Sequence, residues 1–222
     1  MVNFNRQAGA TLSNLGRPKV EAMAEQARDI NPSMDIRLFA GKVDESNVHE
    51  FLNGVDLYVD GIDFFASAAR EAVFRTCAER GIPAITAAPL GMSAAMVAFL
   101  PGRMTFEEYF RLTGLTDAEK AIQFLIGFAP GMLHRHYLMD RSRVNLAERT
   151  GPSTVMGCYL CAGVVATQAL KILLKRGKVY SAPYAIQFDA YRNKLVRTWR
   201  PGGNRNWMNR LAVAIAKRQL GI

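Results

Sequence analysis

Four residues at the start of the chain pair a fixed cation with neutral donors: Asn3, Asn5, Arg6 and Gln7. Arg6 presents a planar fork that matches phosphate oxygens, and the three amides add donors without charge. Gly16-Arg17-Pro18-Lys19 follows. There Lys19 falls on the first turn of an expected helix, where the macrodipole adds positive potential for an anion. Further on, Val59-Asp60-Gly61-Ile62-Asp63 closes an expected strand. Acids past the C-terminal end of a strand sit where open α/β sheets bind ligands, and they suit a hydrated Mg²⁺ bridging phosphates. Taken singly, each feature is ordinary. A loop cation is usually solvated, and a strand-end Asp usually caps a helix. In this order they describe a place for a nucleotide's phosphate chain and its metal.

The elements that must position these groups read as α/β. Val20, Met23, Ala24 and Ala27 share one face, so residues 18–29 form an amphipathic helix with Pro18 at its first position. Alternation at 36–40 predicts a strand, 45–52 a short helix, and 55–59 a strand ending at Asp60. A helix over 65–80 closes on Gly81, and 83–88 and 93–100 read as strands. This alternation predicts a Rossmann-like, mostly parallel sheet with flanking helices. Residues 103–150 are aromatic (Phe106, Tyr109, Phe110, Phe124, Phe128) and read as an insertion, with 116–128 as its best helix. A long apolar helix over 153–175, an antiparallel hairpin over 184–199 and a basic amphipathic helix over 206–220 complete the chain. The expected divisions are 1–102, 103–150, 151–200 and 201–222.

The order Asn-x-x-Arg-Gln, Gly-x-Pro-Lys-Val-Glu, Ile-Asn-Pro, Asp-x-x-Asp and Gly-Ile-Pro resembles the ThiF/MoeB/HesA family, relatives of ubiquitin-activating enzymes. The residues that carry the resemblance are Asn3, Arg6, Gln7, Gly16, Pro18, Lys19, Val20, Glu21, Ile30, Asn31, Pro32, Asp60, Asp63, Gly81, Ile82 and Pro83. It covers residues 3–102, resumes over 151–174, and is poor over 103–150 and in the tail. It implies adenylation: the C-terminal carboxylate of a small ubiquitin-like or sulfur-carrier protein attacks the α-phosphate of Mg-ATP. It further implies that Arg6, with Asn3, Asn5 and Gln7, grips the β- and γ-phosphates, that Lys19 neutralises the α-phosphate, and that Asp63 holds Mg²⁺. A homodimer is the family expectation.

Departures from the family pattern shape the remaining expectations. The family's opening strand and Gly-x-Gly-Gly-x-Gly turn precede Asn-x-x-Arg, and only two residues precede Asn3 here. The sheet is therefore expected to be incomplete at its N-terminal side, as in a fragment or a chain completed by a partner. Residues 103–150 contain no cysteine, which argues against a thioester step there. Cys158 and Cys161 form one C-x-x-C without a second pair, so no structural zinc is expected. Cys77 reads as a small buried hydrophobe. Phe64 stands where the family often has Asn, and His134 and His136 read as surface histidines.

Composition bounds the rest. The 222 residues are half hydrophobic, as in an ordinary globular protein. No apolar run reaches the roughly 18 residues of a membrane span, and no signal peptide is visible. A cytoplasmic protein is expected. The net charge of +9 arises from residue 170 onward, where twelve Lys/Arg face the single acid Asp189. Such a tail suits a polyanion contact through Arg205, Arg210, Lys217 and Arg218, or a plain solvated face. Two other functions stay open: a non-catalytic binding or scaffold module, and a dinucleotide-binding oxidoreductase-associated domain.

Overall fold

A computed structural model describes residues 4–137 and 154–222. The first helix, α1 (Lys19–Ile30), buries Ala22 and Ala24 and is followed by the short α2 (Val48–Phe51). Strand β1 (Tyr58–Asp60) leads into α3 (Ser67–Arg80), then β2 (Ala84–Leu90) and β3 (Ser93–Phe99). Next come α4 (Phe106–Phe110), α5 (Asp117–Phe128) and the long α6 (Val155–Leu173). The chain closes with β4 (Tyr184–Asp189), β5 (Lys194–Trp199) and α7 (Trp207–Leu220). The five strands form one sheet in the order β1-β2-β3-β4-β5.

The fold is α/β with flanking helices, as expected, but the sheet is not mostly parallel. Only β1 and β2 pair parallel; β2–β3, β3–β4 and β4–β5 are antiparallel. A parallel pair needs a crossover helix, and α3 supplies it between β1 and β2. The two-residue turn at Gly91-Met92 sends β3 straight back along β2. The β4–β5 hairpin is as expected, with Asn193 in the left-handed region (φ 49°) that Asn tolerates. The strand expected at 36–40 does not form, because no ladder partner lies beside it among the described residues. Instead Arg37 donates to the carbonyls of Glu50, Phe51 and Asn53. The helix expected over 45–52 shortens to α2, and Pro18 caps α1 rather than opening it.

Two layers of helix sandwich the sheet. On one side, Phe74 of α3 stacks on Phe106 of α4 with ring centroids 4.4 Å apart, and Phe99, Phe110, Phe124 and Phe128 complete the core. The aromatic stretch after residue 103 thus shares its core with the strands. Capping boxes start both helices: Thr105 with Glu108, and Thr116 with Glu119. On the other side, α6 covers Ile85, Met96, Ala98 and Ile186 with Cys161 and Val165. Gly157 lets it approach; a Cβ there would stand 2.3 Å from the carbonyl oxygen of Gly91. Helix α7 packs on α5 through Val213, Ile122 and Ile126, and its Lys217 pairs with Glu119 at 2.5 Å.

Helix α6 revises one expectation. Its 19 residues average a hydropathy of 1.5, long and apolar enough by length and composition to cross a membrane. Counting uninterrupted apolar residues missed this, because Thr167, Gln168 and Lys171 punctuate the segment without offsetting its average. Its outer face, including Met156, Tyr159, Leu170 and Leu173, is exposed.

Candidate functional site

The chain before α1 folds back across that helix. Asn14 donates to the carbonyl of Gly9 (3.1 Å), and Ala10 donates to that of Gln7 (3.0 Å). Gly9 is needed at the crossing, because a Cβ there would meet the Met23 sulfur at 2.6 Å. This arrangement opens a cleft of about 460 Å³ between residues 4–23 and the first turns of α6. Arg6, Gln7 and Lys19 line it together. Lys19 is the first residue of α1, so unpaired backbone N–H groups and the positive end of the dipole add to its charge.

Asn5 does not line the cleft. Its side-chain oxygen accepts from Arg6 Nη1 at 3.0 Å and so orients the guanidinium. Asn3 lies outside the described residues. Arg17 also lines the cleft and was not singled out from sequence; it donates to Glu25 at 2.5 Å. That hydrogen bond raises the pKa of the guanidinium and lowers that of the Glu25 carboxyl. Cys158 and Tyr159 of α6 complete the wall. Nothing in the sequence pattern links them to Arg6, because more than 150 residues separate them.

Asp63 is exposed and stands apart from this cleft's lining. Its Oδ1 accepts the backbone N–H of Phe65 at 3.0 Å. Asp60, the other member of the acidic pair, is buried and taken up structurally. Arg70 Nε donates to its Oδ2 at 2.7 Å, with the two side chains 5% and 2% exposed. Thr86 Oγ1 donates to the same oxygen (2.8 Å), and Ile62 N–H (3.0 Å) and the Tyr58 hydroxyl (3.2 Å) donate to Oδ1. Burial and the nearby Asp60 carboxylate push the Tyr58 phenol up, so it stays a donor. Arg70 also donates to the carbonyls of Ile62, Asp63 and Phe64, and lies 4.9 Å over the Phe124 ring. One guanidinium thus fixes the whole turn that carries Asp63. Phe64 packs against Phe65 and Phe124.

Among the described residues no cluster of three His, Cys, Asp or Glu could hold a metal. Asp63 offers the exposed carboxylate of this turn, with its Oδ1 also accepting from the Phe65 N–H. One carboxylate fits Mg²⁺, which commonly takes one or two from protein and the rest from phosphates and water. Cys158 and Cys161 lie one turn apart on α6, and burial pushes the Cys161 thiol up to about 11.

The expectation of a surface His134 does not hold. It is buried, and its Nδ1 sits 3.2 Å from the Gln187 amide nitrogen, which also donates to Ser93. An amide nitrogen donates, so Nδ1 accepts and the ring is neutral. Burial lowers its pKa to about 4. Beside it, the Tyr137 hydroxyl donates to Asp189 (2.9 Å) and accepts the N–H of Met92 (3.1 Å).

Comparison with protein families matches residues 1–208 to the ThiF family. The SAMP-activating enzyme E1 of Haloferax volcanii is 27% identical over 180 residues, 79% of this chain and 55% of that enzyme. Protein HesA of Leptolyngbya boryana is 25% identical over 166 residues, 66% of this chain and 59% of its own length. The chain thus spans less than two thirds of these relatives. Among solved structures, E. coli MccB with ATP superposes with a TM-score of 0.62 at 17% identity, covering 89% of this chain and 52% of MccB.

Proposed function

Because this chain belongs to the ThiF family, we propose that it serves ATP-dependent adenylation of the C-terminal carboxylate of a small ubiquitin-like or sulfur-carrier protein. The observation that carries the reading is the gathering of Arg6, Gln7 and Lys19 around one cleft at the N-terminus of α1. The activating-enzyme relative and the ATP bound to MccB point the same way.

In this reading a carboxylate oxygen attacks the α-phosphorus. The new O–P bond forms as the bond to the bridging oxygen breaks. Pyrophosphate leaves and the acyl-adenylate remains. The protein contributes positioning and charge neutralisation. Arg6, held by Asn5, and Gln7 grip the outer phosphates, with Asn3 assigned to the same task. Lys19 and the first N–H groups of α1 meet the charge that grows on the α-phosphate. Asp63, on the turn fixed by Arg70 and outside the cleft's lining, is the carboxylate this reading assigns to Mg²⁺, which would supply neutralising charge for the leaving pyrophosphate. A homodimer and a cytoplasmic setting belong to the same reading, and the exposed side of α6 offers a second copy an apolar surface.

Exchange of labelled pyrophosphate into ATP tests the proposal. It should appear only when a carrier with a free C-terminal carboxylate is supplied, and blocking that carboxylate as an amide should abolish it. Nucleotide binding without exchange across a panel of carriers would favour a scaffold module instead.

A further inference from the structure

The surplus of positive charge has a definite location. Of the four tail cations, Lys217 is engaged by Glu119. A different group gathers beside the C-terminal end of α6. Arg197 lies 4.6 Å and Lys178 4.9 Å over the Tyr180 ring, and Arg197 donates to the Tyr180 hydroxyl. The Lys171 stem runs against Gly177 next to them. Among the described residues none of Lys171, Lys178, Lys194 or Arg197 has a carboxylate within ion-pair distance. Asp189, the only acid after residue 170, is fully buried and accepts from Tyr137 and from the N–H of Arg192.

These cations border a sheet face that α6 leaves uncovered. Side chains at alternate strand positions share a face. The register therefore places Leu195, Arg197 and Trp199 of β5 beside Phe188, Ile186 and Tyr184 of β4. Ile186 belongs to the core under α6, which fixes the side they occupy. Trp199 is 57% exposed and Leu195 63% exposed, while Tyr184 and Phe188 are half-buried. Tyr180 meets Tyr184 edge-on at 5.4 Å and links the cations to the aromatic floor.

An indole 57% exposed on a sheet, beside cations with no described carboxylate in ion-pair distance, meets the two needs of a single strand of nucleic acid: stacking and phosphate neutralisation. We infer that the β4–β5 face, with Trp199 as stacking platform and Lys171, Lys178 and Arg197 as phosphate contacts, binds single-stranded RNA. This surface is independent of the nucleotide cleft.

A fluorescein-labelled oligouridylate, followed by anisotropy across a salt series, tests it. Three phosphate contacts predict a slope of about −2 in log affinity against log salt. Arg197→Ala or Lys178→Ala should each flatten that slope. Trp199→Ala should weaken binding roughly 5- to 150-fold, the worth of one base stack, with the slope retained. Trp199→Phe should keep most of the affinity and controls for folding. In a Trp207→Phe background, RNA should quench the remaining tryptophan and heparin should not. Equal competition by heparin with wild-type binding by Trp199→Ala would overturn the proposal in favour of a non-specific cationic face. A Trp199 response to phosphatidylserine vesicles but not to RNA would overturn it in favour of a membrane surface.

Discussion

Replacing Asp60 by Asn separates a structural carboxylate from a metal ligand. In the native state Asp60 receives four donors, from Arg70, Thr86, Tyr58 and the N–H of Ile62. The amide keeps the shape but removes the charge, leaving the Arg70 guanidinium buried without a counter-ion. Breaking one partner of a buried pair costs roughly 3–5 kcal/mol. Arg70 retains three carbonyl acceptors at Ile62, Asp63 and Phe64, so the lower end of that range applies, about 3 kcal/mol. That is a large part of the roughly 5–15 kcal/mol that holds a domain folded. Urea unfolding of Asp60→Asn should show this as a lower midpoint at unchanged slope. The double variant Asp60→Asn/Arg70→Met removes both charges and should be no less stable than Asp60→Asn alone. A loss below about 1 kcal/mol in the single variant would refute the clamp.

Three other outcomes follow from the packing. His134 is neutral in the fold with its pKa lowered to about 4 from 6.5. As pH falls below about 6.5 the unfolded chain gains a proton that the native state refuses, so stability declines, by about 2 kcal/mol near pH 5; unfolding midpoints of wild type and His134→Phe should diverge over that window. Gly157→Ala sets a Cβ against the Gly91 carbonyl and should cost roughly 1–3 kcal/mol in thermal or urea unfolding, because backbone must move. Thr116→Ala removes the cap of α5, which accepts from Glu119 N–H, and should cost about 1 kcal/mol by the same assay.

Local chemistry made much of the fold legible. The Thr116–Glu119 box starts α5 at Asp117, one residue after the helix start read from sequence, and Gly81 ends α3 in the left-handed region at φ 68°. The strand at 36–40 failed because alternation records two faces but not a neighbour. The sheet direction was misread because strand–strand turns as short as Gly91-Met92 reverse the chain, and strand periodicity is the same in either direction. At the site, the cation-and-amide run and Lys19 were readable as types and spacing. The capture of Asp60 by Arg70 was not, since a helical Arg ten residues on looks like any solvated residue. Nor was the wall formed by Cys158 and Tyr159, which only the packing of α6 brings to Arg6. His134 looked like a surface residue because its partner Gln187, itself held by Ser93, lies on a strand remote in sequence.

Calorimetric titration with Mg-ATP of the wild-type chain, Arg6→Ala and Lys19→Ala tests the central claim most directly. A charge-assisted contact to phosphate is worth roughly 1.5–3 kcal/mol, so each variant should bind about 10- to 150-fold more weakly while unfolding as wild type does. Wild-type affinity in both variants would contradict the assignment of the cleft to the phosphate chain.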